Sequence, residues 1–123
     1  MFRLVINAPN SFEHELRQLK GVKIVRDTQG ESSLEFAIAF LTQRKEVDRV
    51  AHKLIKASAA DAVLLFAYPK GTSKTLKSEV NRDSGWDVLR SAGFDTVRLV
   101  AIDADWSALR FRRKENIGGA RPR

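Results

Sequence analysis

Short apolar runs alternate with segments of helical period along this chain, and that alternation constrains the fold more than any other property of the sequence. Phe2, Leu4, Val5 and Ile6 form a run that breaks at Asn7, Ala8, Pro9 and Asn10, which reads as a strand entering a turn. Asn10, Ser11, Phe12 and Glu13 have the spacing of a capping box, and Phe12, Leu16 and Leu19 recur at helical spacing until Gly21. Val22 to Val25 predicts a second strand and Asp27 to Ser33 a loop. Leu34 to Leu41, interrupted only by Glu35, has the near-continuous apolar character of a strand covered on both faces. Thr42 is placed to cap the next helix, in which Val47, Val50, Ala51, Leu54 and Ile55 form one apolar stripe. Ala62 to Tyr68 predicts a fourth strand. A polar stretch from Pro69 to Asn81 follows, then a helix capped by Asp83 or Ser84 with Trp86 and Leu89 facing inward and Gly93 as its stop. Thr96 to Ile102 and Trp106 to Arg112 predict two last strands, joined tightly enough through Asp103, Ala104 and Asp105 for a hairpin.

This order predicts an α/β fold: a single three-layer, Rossmann-like domain with a mostly parallel six-stranded sheet. The expected strand order is 2-1-3-4-6-5, with the last strand antiparallel between the fourth and fifth. At 123 residues there is room for one domain, over 1–114, and residues 115–123 are expected to form a disordered tail. Ligands of such sheets bind outside the carboxyl ends of the strands, where connections diverge, here between strands one and three. Asn7 and its neighbours would form the lip. The same edge receives Tyr68, Pro69 and Lys70 after strand four, and Asp103, Asp105, Trp106 and Ser107 around the hairpin.

Composition narrows the chemistry. The absence of cysteine excludes disulfides, thiolate metal sites and a cysteine nucleophile. No apolar stretch reaches membrane-spanning length and the start is unlike a signal peptide, so no membrane partner is expected and a cytoplasmic location is. The formal charge of +7 is unevenly spread: residues 1–68 carry 10 basic and 8 acidic groups, 69–82 carry 4 and 1, 83–105 carry 2 and 5, and 106–123 carry 6 and 1. Two short basic blocks therefore flank an acidic one. An anionic partner, a nucleic acid or a phosphate-bearing small molecule, is the expectation that follows.

The strongest candidate for an anion site is Lys70, Lys74, Lys77 and Arg82 on the polar loop, although Arg82 could equally pair with Asp83, Asp87 or Glu79. Trp106 shares its strand face with Ala108, Arg110 and Arg112 and could stack a ring ligand beside Arg110, or pack as an edge residue. Asp103 and Asp105 could act as a carboxylate pair, but aspartate is also a preferred turn residue. Arg44, Lys45, Arg49, Lys53 and Lys56, interspersed with Glu46 and Asp48, read as a solvated helix face. His14 and His52 lie on separate predicted helices and suggest no metal site. The glycine spacings fit neither a dinucleotide fingerprint nor a P-loop, and no nucleophile elbow is present.

Three segments, Phe66-Ala-Tyr-Pro-Lys70, Arg82-Asp-Ser-Gly-Trp86 and Val100-Ala-Ile-Asp-Ala-Asp-Trp-Ser-Ala-Leu-Arg-Phe-Arg112, resemble a family of small bacterial proteins described only as a domain of unknown function. The resemblance runs from about Leu4 to Arg113 and implies a shared domain without implying an activity. The predicted architecture is also similar to the later half of a class I methyltransferase. That family holds S-adenosylmethionine on a glycine-rich loop after its first strand, where this chain has Asn7, Ala8, Pro9 and Asn10. No cofactor is therefore expected. The reading that follows is a non-catalytic module binding an anionic ligand at the carboxyl edge. Its alternatives are a small enzyme using Tyr68, Lys70, Asp103 and Ser107, or a methyltransferase-like remnant serving as an assembly domain.

Overall fold

The computed structural model describes residues 2–18, 23–26, 34–73, 76–81 and 84–116. The strands are β1 (Phe2–Ile6), β2 (Lys23–Val25), β3 (Leu34–Phe40), β4 (Ser58–Pro69), β5 (Phe94–Ala101) and β6 (Trp106–Arg113). The helices are α1 (Asn10–Leu16), α2 (Arg44–Ala57) and α3 (Asp87–Ser91), and a 3-10 turn spans Lys114–Asn116. The expected tail lies outside the described residues from position 117 onward.

The strands join in one mixed sheet in the order β2-β1-β3-β4-β6-β5. It is carried by the five longer strands; β2, three residues long, adds only a short edge beside β1. Pairing is parallel from β2 to β4 and antiparallel where β6 meets β4 and β5. The short Asp103–Asp105 connection forces that reversal, because so few residues can only turn a strand back on its neighbour.

One sheet face is buried under α2 and α3. Val47, Val50, Ala51 and Leu54 of α2 close on Leu4, Ala37, Ala39, Leu64 and Phe66, and Trp86 fills the space between Phe66, Tyr68 and Phe111 with ring centroids 5.5–6.0 Å away. The cationic residues of α2 are all exposed, as a solvated face requires. The opposite face carries Val5, Ile38, Phe40, Ala67, Trp106 and Ala108 and is covered by the short α1 through Phe12 and Leu16.

Several boundaries differ from the expectation for identifiable reasons. Pro9, not Asn10, is the N-cap of α1, and its carbonyl accepts the N–H groups of Phe12 and Glu13, both at 3.0 Å. Gln43, not Thr42, caps α2, because Glu46 reaches back to the N–H groups of both residues at 3.3 Å. β4 begins at Ser58 rather than Ala62, since Ser58 pairs with Leu34 across a register shift. β5 begins at Phe94. The third helix starts at Asp87 because Ser84 bridges back to Asn81 and Gly85 turns the chain at φ 103°. Asp83 lies outside the described residues, as do Leu19 and Gly21.

Candidate functional site at the carboxyl edge

The expected convergence of loops is present and is made by hydrogen bonds. Ser11 Oγ, in the first turn of α1, donates to Asp103 Oδ2 at 3.2 Å in the β5–β6 turn. Lys70 N–H, just after β4, donates to the Asp105 carbonyl at 2.8 Å, and Ser73 Oγ donates to Asp105 Oδ1 at 2.8 Å. Glu79 N–H donates to the Thr42 carbonyl at 2.8 Å and its carboxylate accepts the Arg44 N–H at 3.1 Å. The polar stretch after β4 is thus stitched to two other connections, the β5–β6 turn and the start of α2, and its Val80 is buried in the main core. A long polar loop here has a structural occupation.

Two grooves open along the sheet edge. A groove of 540 Å³ runs along the loop after β4, with Tyr68, Lys70, Ser73, Lys77, Glu79 and Asn81 among its lining residues; its Val80 belongs to the core under α2 and its Leu76 packs on the α1 side. On the α1 face, a groove of 640 Å³ is floored by Phe12, Leu16 and Ile102 and rimmed by Ser11, Glu15 and Asp103. The first carries Lys70 and Lys77 together with Glu79 and the second carries Glu15 and Asp103, so the two lysines and Asp103 line different grooves.

Individual residues resolve differently from their expected roles. Asp103 is a turn residue: its Oδ1 accepts the N–H groups of Asp105 at 2.8 Å and Trp106 at 2.9 Å. Asp103 is thereby committed to the hairpin turn, while the Asp105 carboxylate is engaged by Ser73 of the loop after β4, so the two carboxylates serve different contacts. Trp106, 7 % exposed, is a core residue whose ring meets Phe40 edge-on at 5.1 Å, and it is not presented to a planar ligand. Arg110 does not reach the edge at all. It pairs with Leu65 in mid-sheet, about 13 Å along β6 from Trp106 at strand rise. Ser107 and Tyr68 oppose each other in the ladder and are both buried. Asn7 is exposed at the end of β1 with φ 59°. Lys74 and Arg82 lie outside the described residues. His14 and His52 are exposed, and no group of potential metal ligands occurs among the described residues.

Sequence reasoning missed Val80 and Gly85 as the anchors of the loop, and Glu79 as the brace between it and α2. An isolated valine in a polar stretch carries no periodicity by which to detect burial.

With fold and edge described, solved structures supply a comparison. A protein from Sulfolobus solfataricus assigned as a type 11 methyltransferase superposes with a TM-score of 0.55 at 9% identity, over 94% of this chain and 72% of that one. A SAM-dependent methyltransferase from Aquifex aeolicus gives 0.54 at 14% identity, over 91% and 81%. LepI in complex with SAM gives 0.53 at 11% identity, over 90% of this chain but 36% of its own. The fold is methyltransferase-like. At such identities the likeness extends to architecture and no further. No protein-family model and no curated protein matches the chain, so the resemblance to the small bacterial family rests on the three quoted segments alone. No helix among the described residues is long and apolar enough to cross a membrane.

Proposed function

We propose that this chain is a non-catalytic module built on the methyltransferase fold, a remnant that has kept the architecture and given up the cofactor seat. The connection from β1 to α1 carries the proposal. A nucleoside cofactor at this place in the fold needs bare backbone and unspent N–H groups at a helix start. This chain offers Asn7, Ala8, Pro9 and Asn10. Pro9 has no N–H to give, and its carbonyl already takes those of Phe12 and Glu13. The residues present do not fit the cofactor that the solved complexes hold, and no methyl-transfer step is derived for this chain. Titration calorimetry with S-adenosylmethionine and S-adenosylhomocysteine tests the reading. No saturable heat is expected, and a micromolar dissociation constant for either would overturn it.

A second reading keeps an anionic ligand on the groove along the loop after β4. What favours it is that Lys70 and Lys77 line that groove without an ion-pair partner among the described residues. The two serines beside them are spent internally, Ser73 on Asp105 and Ser78 on the Val80 carbonyl at 2.6 Å. Recognition would therefore rest on lysine charge, with little geometric selectivity. Replacing Lys70 and Lys77 together by alanine is expected to weaken binding of a short oligonucleotide and to flatten its salt dependence by up to about two counterions. Stability should change by less than about 1 kcal/mol, because Lys77 is exposed, Lys70 is half-buried without an ion-pair partner among the described residues, and such cations contribute little to folding. Fluorescence polarisation at low and high salt, with a thermal melt of the same variant, checks both. Unchanged affinity would exclude the groove as an anion site.

A further inference from the structure

Among the described residues, the large hydrophobic side chains left exposed are Val97, Leu99 and Val100, at 38%, 47% and 36%, and all three lie on β5. β5 is the last strand of the sheet, so one side of its backbone has no strand beside it among the described residues. Natural sheets guard such edges with proline, lysine, bulges or a covering element. Among the described residues the guards here are the exposed charge of Arg98 and a register shift between Thr96 and Arg98, which disturbs the first half of the strand and leaves the second half regular. In that second half the ladder with β6 runs Arg98 with Arg110, Leu99 with Leu109, Val100 with Ala108 and Ala101 with Ser107. Ile102 N–H donates to the Trp106 carbonyl at 3.0 Å. Antiparallel alternation then turns the backbone groups of Val100 and Arg98 toward β6 and those of Leu99 and Ala101 toward the open edge.

We propose that the chain dimerises by antiparallel pairing of β5 with β5 of a second copy, extending the sheet across a two-fold axis. The strand is complementary to itself. An axis at Val100 brings Leu99 into hydrogen-bonded register with Ala101 of the partner subunit, and the same pairing recurs on the other side of the axis. Val100 meets its own copy. Arg98 falls opposite Ile102 of the partner subunit, so the two guanidinium groups do not face one another, and like charges opposed across strands are what would forbid the register. No charge other than Arg98 lies in the paired stretch, which favours an apolar copy of the same strand over an acidic or basic partner. The proposal goes beyond the reading of the chain as a module without cofactor, and its test involves neither the cofactor seat nor the lysine groove.

Sedimentation equilibrium of the full chain over a dilution series, combined with amide deuterium exchange, decides it. The expected result is a species of twice the 13.8 kDa chain mass that dissociates on dilution, with the Leu99 and Ala101 amides protected in the dimer. Leu99→Lys should return the mass to that of one chain and release both amides while the thermal midpoint stays close to that of the parent, because Leu99 is half exposed. Should that variant fail to fold, Ala101→Lys serves in its place, and exchange in the unmodified chain is decisive by itself. A single-chain mass at every concentration overturns the proposal. So does a dimer whose Leu99 and Ala101 amides exchange freely, or one that survives the lysine substitution.

Discussion

Gly85 shows how one residue can decide the shape of a loop. Its φ of 103° lies where side chains with a Cβ are strained, and a Cβ built there would enter Val80 Cγ1. Val80 is 3% exposed and cannot move without opening the core. Gly85→Ala is therefore expected to destabilise the protein by roughly 2–4 kcal/mol, combining backbone strain with overpacking. Gly93 is the internal control: its φ is 91° but a Cβ there meets nothing within 4 Å. Gly93→Ala should cost only about 1–2 kcal/mol, the strain alone. Urea denaturation of the pair measures the difference, and equal losses would show that the Val80 contact carries no energy. Asn7 adopts the left-handed region without glycine, at φ 59°, which asparagine tolerates better than most residues. Absence of glycine after β1 therefore never meant absence of a tight turn; it meant a turn carrying a side chain.

The β5–β6 hairpin is the element on which most of the edge depends. Asp103 ties its own turn together and anchors Ser11, while Asp105 anchors Lys70 and Ser73. Removing the Asp103 carboxylate strands the Trp106 N–H at the mouth of a buried aromatic contact, and such an unmade bond costs about 1–3 kcal/mol. Asp103→Ala should lose stability in that range, whereas Asp103→Asn keeps an oxygen in the accepting position and should lose less than half as much. Thermal melts of the two variants check this ranking. If Asp103→Asn proved as damaging as Asp103→Ala, the charge and not the turn geometry would be what matters. α2 carries a comparable device in Glu46, whose carboxylate closes the helix start while Glu79 braces it from the neighbouring loop.

Across the whole molecule, the surplus of positive charge does not form a single field. Lys70 and Lys77 line one groove with Glu79 while Glu15 and Asp103 rim another, so the +7 total describes no particular surface. The two faces of the sheet are also unequally covered, by α2 and α3 on one side and the short α1 on the other, which leaves β5 exposed at the sheet's end. Local chemistry was enough to determine the element types and their sequence along the chain. Apolar runs such as Leu34–Phe40 have the length and character of buried strands, the α2 stripe has the period of a helix face, and the short link at Asp103–Asp105 reverses direction. The C-terminal edge as the meeting place of the loops follows from the same topology. What local chemistry could not determine is which face a loop folds over once it leaves the sheet, since a polar segment is compatible with either. That choice was made by tertiary contacts of single residues: Val80 entering the core, Trp86 donating Nε1–H to the Asn81 carbonyl at 2.7 Å, and Trp106 packing on Phe40. These contacts leave Lys70 and Lys77 in a different groove from Asp103 although all three lie at a common edge in topology, because burial of an aromatic ring outweighs any preference of an exposed charge for its neighbour.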